Sequence, residues 1–176
     1  YPSSLDEVIS VGAIDMFGKR KIVGSRYEPK WGSNYGEGID VVAPGIRIST
    51  TDISGNGGLN SGSTVQKDAG LIDYQDNNYT KIFDGTSAAT PFVAGIAALI
   101  LERKPSLTSK EVRSIIQSTC TKLPDYFTST TSSSKTDGSW NLEVGYGLVN
   151  AYNAVAKAIM GNRQYVITGN TLLTNT

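Results

Sequence analysis

The residues best suited to chemistry are Thr86 and Ser87, which follow Asp84 and Gly85 and stand directly before a long apolar segment. This segment, residues 88–104, predicts a helix, so Ser87 lies at or beside a helix N-terminus. Free backbone N–H groups and the positive end of the helix dipole favour negative charge at that position. A serine whose attack on a carbonyl group creates an oxyanion is stabilised there. The pattern therefore predicts a nucleophilic serine at position 87.

The same helix start has a purely structural interpretation, and the chain lacks a catalytic base. Serine and threonine are favoured helix N-caps, and Ser87 could have that role alone. The 176 residues contain no histidine. A Ser-His-Asp site cannot be completed without one. The sequence therefore predicts a nucleophile whose base must come from elsewhere.

The composition limits the classes of partner and location. One domain's length of chain carries sixteen basic and sixteen acidic residues, so nothing favours binding to nucleic acid or to an anionic membrane. No apolar run approaches the ~20 residues that span a bilayer. Cys120 is the only cysteine, which excludes an internal disulfide. The low charged fraction of 18% and the many small polar residues favour an extracytoplasmic location.

Three short segments predict strands around the candidate nucleophile. The apolar runs at residues 8–14 and 39–43 are typical of buried strands, and the alternating run at 46–50 is typical of a half-exposed one. Residues 52–82 are polar and glycine-rich, which predicts a long loop. This loop either shapes a cleft beside Ser87 or is a solvated excursion.

Three helices are predicted in the second half of the chain. Residues 88–104 are apolar on nearly every face, so we expect this helix to be buried all round. Thr108 and Glu111 form a capping box before the next helix. Asn150 is the expected N-cap of the last helix, and Gly161 its stop signal.

Five segments, in order, carry a resemblance to a known family. The central one reads Gly-Thr-Ser-Ala-Ala-Thr-Pro at residues 85–91, followed by Val-Ala-Gly at 93–95. It closely resembles the nucleophile motif of the subtilisin-like serine proteases, or subtilases. Four further segments are similar to family motifs on either side of it: residues 1–13, 33–45, 107–116 and 145–151.

The resemblance implies an α/β fold, namely part of a doubly wound, mainly parallel sheet whose N-terminal half is missing. Residues 1–161 are expected to form the C-terminal half of the catalytic domain, and residues 162–176 a tail or the start of a following domain. The family's catalytic Asp and His and its oxyanion asparagine lie upstream of Tyr1. We therefore expect the missing half, or self-association of the chain, to cover the apolar surface that a split domain exposes.

The resemblance also implies an activity and roles for single residues. It implies a serine endopeptidase that hydrolyses a polypeptide substrate through an acyl-enzyme on Ser87. Thr86 matches a threonine whose hydroxyl assists at the oxyanion. Asp84 matches a residue near the substrate backbone, and this second match is the weaker one. Phe92 replaces a family histidine that is structural and not the base. Without the upstream groups, the chain alone is expected to be inactive.

Calcium and secretion are further implications of the resemblance. Subtilases often bind calcium, partly through backbone carbonyls, but no carboxylates in this sequence have the spacing of a calcium loop. We therefore assign no metal ligand and expect no other cofactor. Secretion is the family's usual location.

Two alternatives stay open. The first is a catalytically inactive subtilase-like domain that acts as a binding or scaffolding module. The intact Gly-Thr-Ser argues against it, and the absent upstream motifs argue for it. The second is another serine hydrolase, such as an esterase, whose nucleophile elbow reads Gly-x-Ser-x-Gly. Here Ala89 stands at the second glycine position, which disfavours that class.

Overall fold

A computed structural model describes residue 3 and residues 5–60, 65–66, 71–127 and 140–161. The Ser/Thr-rich residues 128–139, which the sequence predicts to be a loop, and the predicted tail at 162–176 lie outside the described residues. The elements, in chain order, are β1 (Val11–Ile14), β2 (Val41–Pro44), β3 (Ile48–Thr51), a 3-10 turn (Gly55–Gly57), β4 (Val65–Gln66), β5 (Leu71–Ile72), β6 (Tyr79–Phe83), α1 (Thr86–Arg103), α2 (Ser109–Ser118) and α3 (Ala151–Met160).

The centre of the molecule is the parallel pair β1–β2, in which Val11 lies opposite Val41 and Ile14 opposite Pro44. Buried, β-branched residues on both strands are typical of a parallel sheet covered on its faces. A parallel bridge between Val42 and Leu148 continues the pairing on the other side of β2. The parallel arrangement implied by the resemblance is therefore present here, whereas β3–β6 and β4–β5 are antiparallel.

The three helices pack with this pair around one main core. α1 contacts β1, β2 and both other helices. The buried residues of this core come from all of these elements and the segments next to them: Ala13, Ile39, Val41, Ala43, Ala89, Val93, Ile96, Ile100, Val112, Ile115, Ile116, Cys120, Trp140, Tyr146, Ala154 and Ala158. The packing of α1 in the core therefore fixes the position of the residues at its N-terminus.

The predicted helix ends of α2 and α3 are confirmed. Thr108 Oγ1 accepts a hydrogen bond from the backbone N–H of Glu111, and the Glu111 carboxylate accepts one from the N–H of Thr108 at 2.7 Å. These two bonds make the reciprocal capping box. Asn150 Oδ1 accepts from the N–H of Asn153 at 2.9 Å, and Gly161 ends α3 with φ of 65°.

The prediction that α1 is buried on every face is wrong for the chain as described. Its inner face, including Val93, Ile96 and Ile100, is buried, but the opposite side is exposed. We call the exposed residues Pro91, Phe92, Ala94, Gly95, Ala98 and Leu99 the α1 stripe. An apolar helix face is buried only where another part of the protein packs against it. No described element lies over this stripe.

The prediction of a loop throughout residues 52–82 is also wrong, because strand β6 occupies its end. β6 runs antiparallel to β3, with Thr51 opposite Tyr79. The buried side chain of Asn60 holds the turn before β6, since its Nδ2 donates to the carbonyls of Tyr74 and Tyr79 at 2.8 Å each. β3 and β6 therefore form an antiparallel pair, and β6 leads straight into the start of α1.

Candidate active site

The start of α1 places Ser87 inside the helix and not at its cap. The N-cap is Gly85, with φ of 121° and no side-chain capping bond. Its carbonyl accepts hydrogen bonds from the N–H groups of Ala88 at 3.0 Å and Ala89 at 3.2 Å. Ser87 is the second helical residue and is exposed. The interpretation of Ser87 as a mere N-cap is therefore wrong.

The polar groups around Ser87 are available to a ligand. Thr86 and Ser87 are the first two residues of α1, so their N–H groups have no acceptor within the helix. No acceptor for these N–H groups, or partner for the Ser87 hydroxyl, occurs among the described residues. The positive end of the helix dipole lies at the same place. The geometry therefore favours an anion beside the Ser87 hydroxyl.

A close backbone contact fixes this helix start against the sheet. The N–H of Gly85 donates to the carbonyl of Gly45 at 2.8 Å, just beyond β2. A Cβ atom at Gly45 would lie 2.6 Å from the Cβ of Ala13 and 2.7 Å from the carbonyl oxygen of Gly85. Only glycine permits this approach. The Pro-Gly pair at residues 44–45 is the signal in the sequence for a turn at this place.

Asp84 lies three residues before Ser87 and is tied to the turn after β2. Its carboxylate accepts a hydrogen bond from the backbone N–H of Arg47. Burial raises the pKa of Asp84. The hydrogen bond from Arg47 and the positive charges of Arg47 and Lys21 oppose this rise. Arg47 has φ of 56°, which is unusual for a residue with a side chain. Sequence reasoning missed Arg47, because nothing in its local pattern indicates this conformation.

The predicted site residues are thus brought together by one junction. Asp84, Thr86 and Ser87 lie within four consecutive residues that run from the end of β6 into the first turn of α1. Cys120 lies in the core instead, where burial raises the pKa of its thiol to about 12. Cys120 is therefore a packing residue and not a nucleophile, since the thiolate is the reactive form.

Neither a metal centre nor a membrane helix is found in the part of the chain that the structure describes. No group of three or more His, Cys, Asp or Glu side chains lies close enough there to hold an ion. None of the described helices combines the length and the apolar character needed to cross a bilayer.

Comparison with models of protein families shows to which family the chain belongs. A model described as the subtilase family, peptidase S8, matches residues 1–147. The chain belongs to the subtilase family. The subtilase resemblance of the sequence is thereby confirmed.

Named relatives of this subtilase chain are proteases. It is 38% identical over 165 residues to a "Calcium-dependent protease" of Nostoc sp., covering 89% of this chain but 22% of that protein. It is 35% identical over 127 residues to "Subtilisin DY" of Bacillus licheniformis, covering 72% of this chain and 35% of that protein. The subtilase chain therefore spans between about a fifth and a third of the length of these two relatives.

Solved structures confirm the subtilisin-like α/β fold. The chain superimposes on fervidolysin from Fervidobacterium pennivorans with a TM-score of 0.60 at 22% identity, covering 94% of this chain and 21% of that one. A serine protease of Aeromonas sobria gives a TM-score of 0.64 at 21% identity, covering 91% and 32%. At this level of identity the likeness concerns the fold of the subtilase chain.

Proposed function

We propose that the chain is the nucleophile-bearing part of a serine endopeptidase, with Ser87 as the nucleophile. The observation that carries this proposal is the exposed Ser87 hydroxyl in the first turn of α1, unused as a cap. Membership of the subtilase family supports it, since the named relatives are proteases.

The reaction begins with attack of Ser87 Oγ on the carbonyl carbon of a peptide bond. The hydroxyl proton passes to a base, and the carbonyl oxygen becomes an oxyanion beside the Ser87 N–H and the Thr86 hydroxyl. The C–N bond then breaks, and the base gives its proton to the leaving amine. Water hydrolyses the resulting ester by the same steps and releases Ser87. Asp84 is assigned a place near the substrate backbone.

The base comes from outside these residues, because the chain has no histidine. The α1 stripe supports this, since it begins one turn after Ser87 and continues along the same side of the helix. A polypeptide that covers the stripe necessarily lies beside Ser87. Large exposed apolar patches mark such interfaces.

The proposed cover is the N-terminal half of the same catalytic domain, which supplies the histidine, the aspartate and the oxyanion asparagine. The greater length of the relatives agrees with this. We call the longer polypeptide that contains both halves the parent protein. The chain alone is then inactive, and its self-association would cover the same stripe.

The proposal also includes boundaries and surroundings. Residues 1–161 form the catalytic part, because α3 ends at Met160, and residues 162–176 form a tail or begin a further domain. The low charged fraction supports an extracytoplasmic location. One relative is named a calcium-dependent protease, but the described residues offer no acidic cluster that fits calcium. No step is therefore assigned to a metal ion.

A second function is a catalytically inactive binding or scaffolding module, which the lack of histidine favours. Peptide hydrolysis by the parent protein distinguishes the two. The Ser87→Ala variant is expected to lose hydrolysis by several orders of magnitude. Ser114→Ala, which changes an exposed serine on α2, is the matched control and is expected to keep it. Hydrolysis that survives Ser87→Ala, or a folded parent protein without hydrolysis, contradicts the proposal.

A further inference from the structure

We propose that Arg47 is a specificity-determining residue that binds a carboxylate side chain of the polypeptide substrate. The inference rests on the proposed function, because it requires a polypeptide substrate that binds at Ser87. The supporting observations are the backbone conformation of Arg47, the groups around its side chain and the position of Arg47 relative to Ser87.

The backbone of Arg47 is held in an unfavourable conformation next to the candidate nucleophile. Its φ is 56°, and its N–H donates to Asp84, three residues before Ser87. Glu28, with φ of 48°, is the other described residue with a side chain and positive φ, and its charge also acts on Asp84. Strained residues persist where the surrounding structure holds them, and they concentrate at functional sites.

The side chain of Arg47 is oriented but lacks an acceptor. Its guanidinium lies over the ring of Tyr27, 3.8 Å from the centroid, and the Arg26 guanidinium lies 5.4 Å from the same centroid. Among the described residues, the Arg47 guanidinium makes neither a hydrogen bond nor an ion pair. A planar fork of N–H donors fixed by stacking matches a carboxylate, which accepts two parallel hydrogen bonds.

The positive and negative charges around the Arg47 guanidinium are nearly balanced. The arrangement of its N–H donors therefore decides which group it binds. Arg26 adds a second cation, and Glu28 and Asp84 add two anions. The buried Lys21 ammonium keeps its charge, but its three N–H donors bind backbone carbonyls at 2.7–3.1 Å and are not free for a substrate. The local field alone therefore attracts no particular substrate charge. The paired donors of Arg47 favour an acceptor with two oxygens.

The distance to Ser87 sets which substrate residue is bound. Asp84 lies three positions before Ser87, a span of at most about 11 Å. An extended peptide advances about 3.3 Å per residue. Because the Arg47 N–H is bound to Asp84, we expect a substrate cleaved at Ser87 to bring a side chain two to four positions from the scissile bond to Arg47.

The test uses the parent protein and pairs of fluorogenic peptides that differ only by Glu or Gln at one of these positions, on either side of the scissile bond. We expect kcat/KM to favour the Glu peptide about tenfold at one position. Arg47→Gln is expected to abolish that preference and Arg47→Glu to shift it towards a Lys peptide. Arg103→Gln makes the same charge change about 24 Å from Ser87, measured along α1. This variant is expected to keep the Glu preference.

Two results overturn the assignment of Arg47: equal rates for every pair in the natural protein, or a Glu preference that persists in Arg47→Gln. Tyr27→Leu provides a second variant, in which loss of the stack is expected to weaken the preference while the Gln peptide is still hydrolysed. A preference unchanged in Tyr27→Leu also contradicts the proposal. No hydrolysis of any peptide by the natural protein contradicts the proposed function itself.

Discussion

Asp40 and Arg113 form a buried ion pair that joins the central strands to α2. Arg113 Nη2 lies 2.8 Å from Asp40 Oδ1 and 2.9 Å from Oδ2, and the Asp40 side chain is 1% exposed. Gln117 Nε2 and the backbone N–H of Ser10 donate to the same carboxylate, each at 2.8 Å. The charge of Asp40 is thus fully hydrogen-bonded within the core.

Removal of Arg113 is predicted to destabilise the parent protein strongly. Arg113→Ala leaves the Asp40 charge buried without its partner, which costs about 3–5 kcal/mol. Arg103→Ala is the control, because Arg103 pairs with Glu102 at 3.0 Å on the exposed surface, where such pairs contribute about 0–1 kcal/mol. Urea unfolding measures both. Equal free energies of unfolding for the two variants would show that the buried pair contributes no more than the exposed one.

Gly45→Ala is predicted to disturb the start of α1. The added methyl group meets Ala13 and the Gly85 carbonyl at less than 3 Å, and overpacking of this kind costs about 1–3 kcal/mol. Peptide hydrolysis falls as well, since Gly85 moves with Ser87. Gly38→Ala is the matched control, because nothing lies within 4 Å of its added methyl group. The account is contradicted if the two variants behave alike.

Asp84 is predicted to make stability depend on pH. Burial raises its folded-state pKa above the ordinary value of 3.8, so the folded protein binds this proton more tightly than the unfolded one. Stability from this group is therefore lost as the pH rises from about 4 through the folded pKa. Asp84→Asn keeps an acceptor for Arg47 and removes the loss. Unfolding free energies at several pH values test this: a constant difference between the two proteins refutes it.

Leu99→Ser is predicted to reveal whether the α1 stripe is covered in the parent protein. Leu99 is 51% exposed in this chain and Leu142 is 52% exposed, so they are matched positions. If the N-terminal half covers the stripe, Leu99→Ser costs about 2–5 kcal/mol, as for other buried leucines. Leu142→Ser, away from α1, costs less than about 1 kcal/mol. Similar small effects at both positions would exclude the proposed cover.

Local signals in the sequence predicted much of the fold. The capping box of Thr108 and Glu111 and the cap of Asn150 depend on residues within one helical turn, and both are confirmed. The apolar runs that became β1 and β2 were also visible in the sequence. The place of Ser87 at a helix start follows from the same local pattern.

Features that depend on distant partners were not predicted. Asp40 and Arg113 are 73 positions apart, and no local pattern pairs them. Arg47 has a positive φ, and its N–H donates to Asp84, 37 positions away. The burial of α1 was overestimated, because the composition of a helix does not say whether another element lies opposite each face.

The central claim is that Ser87 is an activated nucleophile, and active-site labelling tests it most directly. The parent protein is treated with a fluorophosphonate probe, and the modified residue is located by mass spectrometry. The account predicts modification confined to Ser87 and abolished in Ser87→Ala. A folded parent protein that is not modified, or is modified elsewhere, would contradict the account.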